Sequence, residues 1–100
     1  MKPYDYHVFV CTCPTCSKKD AESVLLVFRQ KVERRSLLEK VKVTRTGCLS
    51  QGECKYGPLV VIYPQGVWYH SVTVNDVDEI IEKHLVGGQL VFKLLHFRLS

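Results

Sequence analysis

Residues 57–69 read GPLVVIYPQGVWY, and this stretch decides the fold. Its core, LVVIY at 59–63, is a run of β-branched and aromatic side chains bounded by Pro58 and Pro64, the mark of a short strand. Pro64-Gln65-Gly66 supplies a turn, and residues 67–72 return as the antiparallel partner. Beyond this hairpin, Thr73 followed three residues later by Asp76 has the form of a capping box, with Asp in place of the usual Glu or Gln. Val77, Ile80, Ile81, His84 and Leu85 then recur at helical spacing, and Gly87-Gly88 offers a left-handed stop. The tail QLVFKLLHF, residues 89–97, reads as a last short strand or a packing segment.

Working back toward the start, Val41 and Val43 alternate with Lys42 and Thr44, which predicts a half-buried strand ended by Gly47. Ala21, Val24, Leu25, Phe28 and Val32 fall on one helical face. Ser17 or Asp20 is placed to cap that helix, and it should end within residues 35–38. Residues 6–10 form a first strand, and Pro14 keeps the CPTC of residues 13–16 out of a helix interior. The order is β-α-β-β-β-α with room for a terminal strand. A βαβ unit followed by a hairpin and a helix is the α/β layout of the thioredoxin-like fold, a central mixed sheet flanked by helices. The whole span 1–100 reads as one domain, without repeats or linkers.

Composition narrows the function. With 46% hydrophobic residues the chain is an ordinary globular one, able to bury roughly 60–70% of its unfolded surface. No apolar run approaches the ~20 residues of a membrane helix. The opening MKPYDYHVFV lacks the layout of a signal peptide. The expectation is a soluble cytoplasmic protein, whose thiols stay reduced. The net charge is +4, and the Lys and Arg of residues 29–45 read as a solvated helix face. Without aromatic interleaving or a nucleic-acid fold signature, they call for neither nucleic acid nor membrane as a partner. No Ser-His-Asp set, carboxylate pair or phosphate loop is visible, so hydrolysis and nucleotide chemistry have no support.

Five cysteines carry the chemistry: Cys11, Cys13 and Cys16, then Cys48 and Cys54. Each group directly follows a β-like run, VFV in one case and VKVTRT in the other. An odd count concentrated in two loops suits soft sulfur ligation of a metal better than structural disulfides. The spacing Cys11-x4-Cys16, thirty-one residues, Cys48-x5-Cys54 admits a tetrahedral zinc or an iron–sulfur cluster. Zinc favours two to four intervening residues, whereas a two-iron cluster takes its thiolates as two pairs and tolerates wider loops. Cys13-Pro14-Thr15-Cys16 also matches the C-x-x-C of thiol–disulfide oxidoreductases, after a strand and before a helix. That enzyme is the alternative function, beside an iron- or zinc-binding scaffold without redox turnover. His7, His70, His84 and His96 share no spacing, and His84 reads as a dipole-favoured residue near its helix end. Trp68 and Tyr69 are better explained by hairpin packing than by an electron path.

Thr46-Gly47-Cys48 and residues 57–69 together resemble the thioredoxin-like [2Fe-2S] ferredoxins, which carry TGC, a second Cys, GP, a VVVYP-type strand and GVWY. VNDVDEIIEKHLVGG, residues 74–88, is similar to their final helix. The small cluster-bearing subunit of respiratory complex I shares the Cys-x4-Cys pair but adds an N-terminal helical region, so a free-standing ferredoxin is the better match. The resemblance implies an electron carrier rather than an enzyme, with one [2Fe-2S] cluster on Cys11, Cys16, Cys48 and Cys54. It also implies redox partner proteins and a homodimer, for which the apolar residues 90–99 offer a pairing surface. Two departures stand out. Leu49-Ser50-Gln51-Gly52-Glu53 puts five residues where the family has three, although Cys54 keeps its place three residues before Gly57-Pro58. Cys13 is an extra thiol beside Cys16, and family spacing favours Cys16 as the ligand.

Overall fold

In the computed structural model, which describes residues 4–48 and 53–99 (the side chains of residues 53 and 54 excepted), the alternation of the first apolar run produces strand β1 (Tyr6–Cys11). Val8 and Val10 are fully buried on its core face. Strand β2 (Val41–Thr46) pairs with β1 in parallel, with Cys11 opposite Thr46. Strand β3 (Val60–Tyr63) pairs with β1 antiparallel, with Val10 opposite Val60. Strands β4 (Val67–Tyr69) and β5 (Leu95–Arg98) extend the sheet antiparallel, in the order β2-β1-β3-β4-β5. The mixed sheet is the one the element order predicts, and the tail is its last strand.

The β3–β4 turn depends on Gly66. Its φ is +69°, a left-handed backbone that calls for glycine. Strand β4 stops at Tyr69, short of the expected residue 72. The next N–H groups are diverted: His70 donates to the Leu94 carbonyl at 2.9 Å, Ser71 to Tyr56 at 2.8 Å and Val72 to Pro58 at 3.1 Å. These bonds serve the approach to β5 and the loop before β3, which a local alternation pattern cannot register.

The turn after β1 is the single helical turn α1 (Pro14–Ser17). Pro14 occupies a first-turn position, where a missing N–H costs nothing. Helix α2 (Ala21–Arg34) buries Ala21, Val24, Leu25, Phe28 and Val32, the five positions read from periodicity. Asp20 is its N-cap residue, but with φ 74° and no capping bond from its side chain. That carboxylate instead accepts from the Ser23 hydroxyl at 2.8 Å. The helix closes when Ser36 turns to φ 58° and the Leu37 N–H reaches the Val32 carbonyl at 2.9 Å.

The last helix begins with the expected capping box, the Thr73 N–H donating to Asp76 Oδ2 at 2.9 Å. Helix α3 (Val77–Glu79) then widens into a π-helix over Ile80–Val86. Val77, Ile80, Ile81, His84 and Leu85 are all buried. Only Gly88, at φ 71°, takes the left-handed conformation expected of the Gly87-Gly88 pair. His84 departs from its sequence reading. It is a core residue at 2% exposure, with Nδ1 2.7 Å from the Tyr69 hydroxyl. That hydroxyl also accepts the Val91 N–H at 3.1 Å, so its own proton goes to Nδ1. Burial holds the imidazole below its ordinary pKa, and the neutral ring completes a polar pin inside an apolar core.

Several basic residues between 29 and 45 are ion-paired. Lys31 pairs with Asp78 at 3.0 Å, Arg35 reaches Asp78 and Glu82, and Arg45 pairs with Glu22. Three of these pairs tie Lys31 of α2 and Arg35 just past it to the last helix, although solvent-exposed pairs contribute little individually.

Candidate metal centre

Strand directions bring the cysteines to one end of the sheet. Cys11 is the last residue of β1, and Cys48 lies two residues past the end of its parallel neighbour β2. Because β3 runs antiparallel to β1, the segment leading into it returns to that same end. This segment holds Cys54, in a 3-10 turn over Glu53–Tyr56 that packs against α1. Helix α1 itself carries Cys16 and follows β1 directly.

Local hydrogen bonds lock these loops together. The Cys11 N–H donates to the Leu59 carbonyl at 3.1 Å and the Thr12 N–H to that of Thr46 at 2.9 Å. The Thr12 hydroxyl bonds the same Thr46 carbonyl at 2.8 Å, and the Ser17 hydroxyl returns to the Thr12 carbonyl at 3.0 Å. The Cys11 thiol itself reaches the Gly47 carbonyl at 3.2 Å, beside Cys48. Thr12 was not singled out in the sequence, while Ser17 was read only as a helix cap and Thr46 only as part of the Thr46-Gly47-Cys48 block. Their small hydroxyls flanking the cysteines were the available signal.

Cys11, Cys13 and Cys16 are buried together with Ala21 and Leu59, and their sulfurs all lie within 4.8 Å of one another. Burial pushes the Cys16 thiol up to about 12, helped by its hydrogen bonds with Cys11 and Cys13 and opposed by the Leu59 backbone. At neutral pH that thiol keeps its proton until a cation replaces it, so metal uptake here releases protons. The indole of Trp68 packs against this group, and its Nε1–H is buried with no hydrogen-bond partner among the described residues. A soft donor set beside an unsatisfied N–H fits an iron–sulfur cluster, whose sulfurs accept such bonds.

The buried trio is not the set of four that spacing selects. It includes Cys13, which was read as a spare, and it does not include Cys48, which is exposed. Residues 49–52 of the lengthened loop lie outside the described residues, as does the Cys54 side chain. Tyr69 packs in the core as expected, while Trp68 also stacks on Phe97 with ring centroids 4.8 Å apart. His70 and His96 approach to 5.8 Å between centroids on neighbouring segments, a proximity that sequence spacing concealed. The groove lined by Arg29, Val32, Leu38, Val41 and Lys42 is at the opposite end of β2 from the cysteines. No described helix is long and apolar enough to cross a membrane.

No family model matches the chain. It is 40% identical over 97 residues to a protein named "Ferredoxin, 2Fe-2S" from Clostridium pasteurianum, covering 89% of this chain and 93% of that relative. It is likewise 40% identical over 98 residues to the 2Fe-2S ferredoxin of Aquifex aeolicus strain VF5, covering 89% and 86%. A solved thioredoxin-like [2Fe-2S] ferredoxin from Aquifex aeolicus is similar with a TM-score of 0.89 at 38% identity, covering 97% of this chain and 94% of that one.

Proposed function

The chain belongs to the thioredoxin-like [2Fe-2S] ferredoxins, and from that premise we propose that it is an electron carrier whose single cluster is held by Cys11, Cys16, Cys48 and Cys54. The observation that supports this ligand set is topological: parallel β1–β2 and antiparallel β1–β3 pairing put all four positions at one end of the sheet. When bound, the cluster supplies a one-electron couple. The chain's own residues do the rest. Cys11 and Cys16, both at 0% exposure, form the dry side of the site and exclude water from it. Cys48, on the exposed side, leaves a short route to a redox partner protein. The Leu59 backbone, already bonded to the Cys16 sulfur, and the Trp68 Nε1–H would donate to the sulfurs and tune the potential. No catalytic residue is assigned, and the same thiol chemistry points to the reducing cytoplasm.

Protein purified without oxygen should be reddish-brown, with about two irons and two sulfides per chain. Colourless protein carrying stoichiometric zinc would sink the reading. The assembly we expect is a homodimer. Strand β5 is an edge strand, and its flank leaves Phe92 73%, Phe97 39% and Leu99 67% exposed, the kind of apolar edge that proteins normally cover. Light scattering should return twice the 11.5 kDa chain mass. A monomer at micromolar concentration would overturn the assembly while leaving the carrier intact.

A further inference from the structure

Cys13 has no task in the four-ligand scheme, yet it is neither remote nor exposed. Its sulfur lies within 4.8 Å of those of Cys11 and Cys16. It is the N-cap residue of α1, and Cys16 is the third residue of the same helical turn. The side chain of an N-cap residue reaches back toward the third helical position, and here that position is Cys16, with its sulfur within 4.8 Å, so little movement brings the pair to disulfide distance. Cys11 is the poorer partner for Cys13. It ends an extended strand, where residues two apart stand about 6.7 Å between Cα atoms, near the limit for a disulfide. Its sulfur is also engaged with the Gly47 carbonyl.

We propose that Cys13 and Cys16 form a second, dithiol–disulfide site whose oxidation closes the cluster site of the apoprotein. The consequence for loading rests on Cys16 being a ligand, as proposed above; the disulfide itself does not. The oxidant is a low-molecular-weight disulfide, RSSR. Cys13, with 8% of its residue surface exposed against 0% for Cys16, is the more accessible of the two. As a thiolate it attacks RSSR, forming Cys13–S–SR and releasing RS⁻. The Cys16 sulfur then displaces the second RS⁻ from Cys13, forming the Cys13–Cys16 bond. The two cysteine protons end on two RSH, and two electrons pass from the cysteine pair to RSSR. Cys16 is thereby withdrawn from the ligand set, leaving three cysteines where the cluster needs four. A dithiol reductant reverses both steps. Occupancy of the carrier thus becomes sensitive to the thiol–disulfide balance around it, and a chain already loaded is protected because its Cys16 sulfur is bound.

The full-length apoprotein is incubated with oxidised glutathione, quenched by alkylation and mapped by mass spectrometry. It is then offered ferrous iron and sulfide, with and without prior dithiothreitol. The expected map joins Cys13 to Cys16, and the oxidised chain should fail to develop the cluster's visible absorption until it is reduced. Cys13→Ser should load equally well before and after oxidised glutathione, with circular dichroism confirming that it is folded. Cys13 and Cys16 both remaining alkylatable would overturn the disulfide site and leave the carrier reading standing. A mapped disulfide with undiminished loading would overturn the gate and the ligand role of Cys16. Loss of loading in oxidised Cys13→Ser would remove Cys13 from the mechanism. A reduced chain that takes up no iron and sulfide would overturn the carrier reading, and the gate with it, whatever the disulfide map.

Discussion

Replacing Cys48 and Cys54 together with serine is expected to abolish cluster binding, with iron and sulfide falling from about two each per chain to near zero. The buried trio of Cys11, Cys13 and Cys16 survives in this variant, but three thiols cannot supply two pairs. Neighbouring thiols near Cys11 or Cys16 could substitute for a single loss there, which makes the second pair the cleaner target. Cys48 is exposed, so its replacement should cost little stability, surface substitutions usually costing under about 0.5 kcal/mol. The double variant also separates the carrier from a thiol–disulfide oxidoreductase. An enzyme built on Cys13-Pro14-Thr15-Cys16 would keep its disulfide reductase rate, whereas a carrier loses its visible absorption and its redox couple. Iron and sulfide retained at the wild-type level would show that Cys48 and Cys54 are not ligands.

Phe28→Ala should be the most damaging single change to the scaffold. Phe28 is fully buried in the middle of α2, within the core formed with β1, β3 and the last helix. Truncating a buried phenylalanine costs about 3–5 kcal/mol, the transfer term plus the cavity left behind. A domain of this size has only about 5–15 kcal/mol in total. At roughly 4–8 °C per kcal/mol, the apoprotein's Tm should fall by at least about 12 °C. The apoprotein is the right form to melt, because a ligand bound only to the folded state would mask the loss. Leu26→Ala, at a position 55% exposed on the same helix, serves as control and should change stability by under about 0.5 kcal/mol. If Phe28→Ala melted within a few degrees of the wild type, α2 would not be the main cover of the sheet.

Much of this architecture was legible locally. The five buried positions of α2 and the five of the last helix were all read from spacing, because a 3.6-residue period records which face is buried. LVVIY and the Pro64-Gln65-Gly66 turn announced the hairpin for a comparable reason. What failed were features set by distant partners. Asp20 has a capping residue's identity and position, but its left-handed backbone turns the carboxylate toward Ser23. Strand β4 shortens because residues 70–72 give their N–H groups to Leu94, Tyr56 and Pro58. His84 was placed on the buried face by spacing, but its role was read as that of a dipole partner near the helix end; its partner is Tyr69, fifteen residues away, in the core.

For the site the division is similar. The sequence by itself determined that thiolate chemistry is the business of this chain, since cysteine type, count and clustering are local facts, and the block from Thr46 to Tyr69 carried the family. Which sulfurs meet was decided only in three dimensions. Parallel pairing of Cys11 with Thr46 and antiparallel pairing of Val10 with Val60 bring both cysteine loops to one end of the sheet. The one-turn helix α1 folds Cys13 and Cys16 back against Cys11. Strand register and burial arise from contacts between segments thirty to fifty residues apart, and no window along the chain contains both partners.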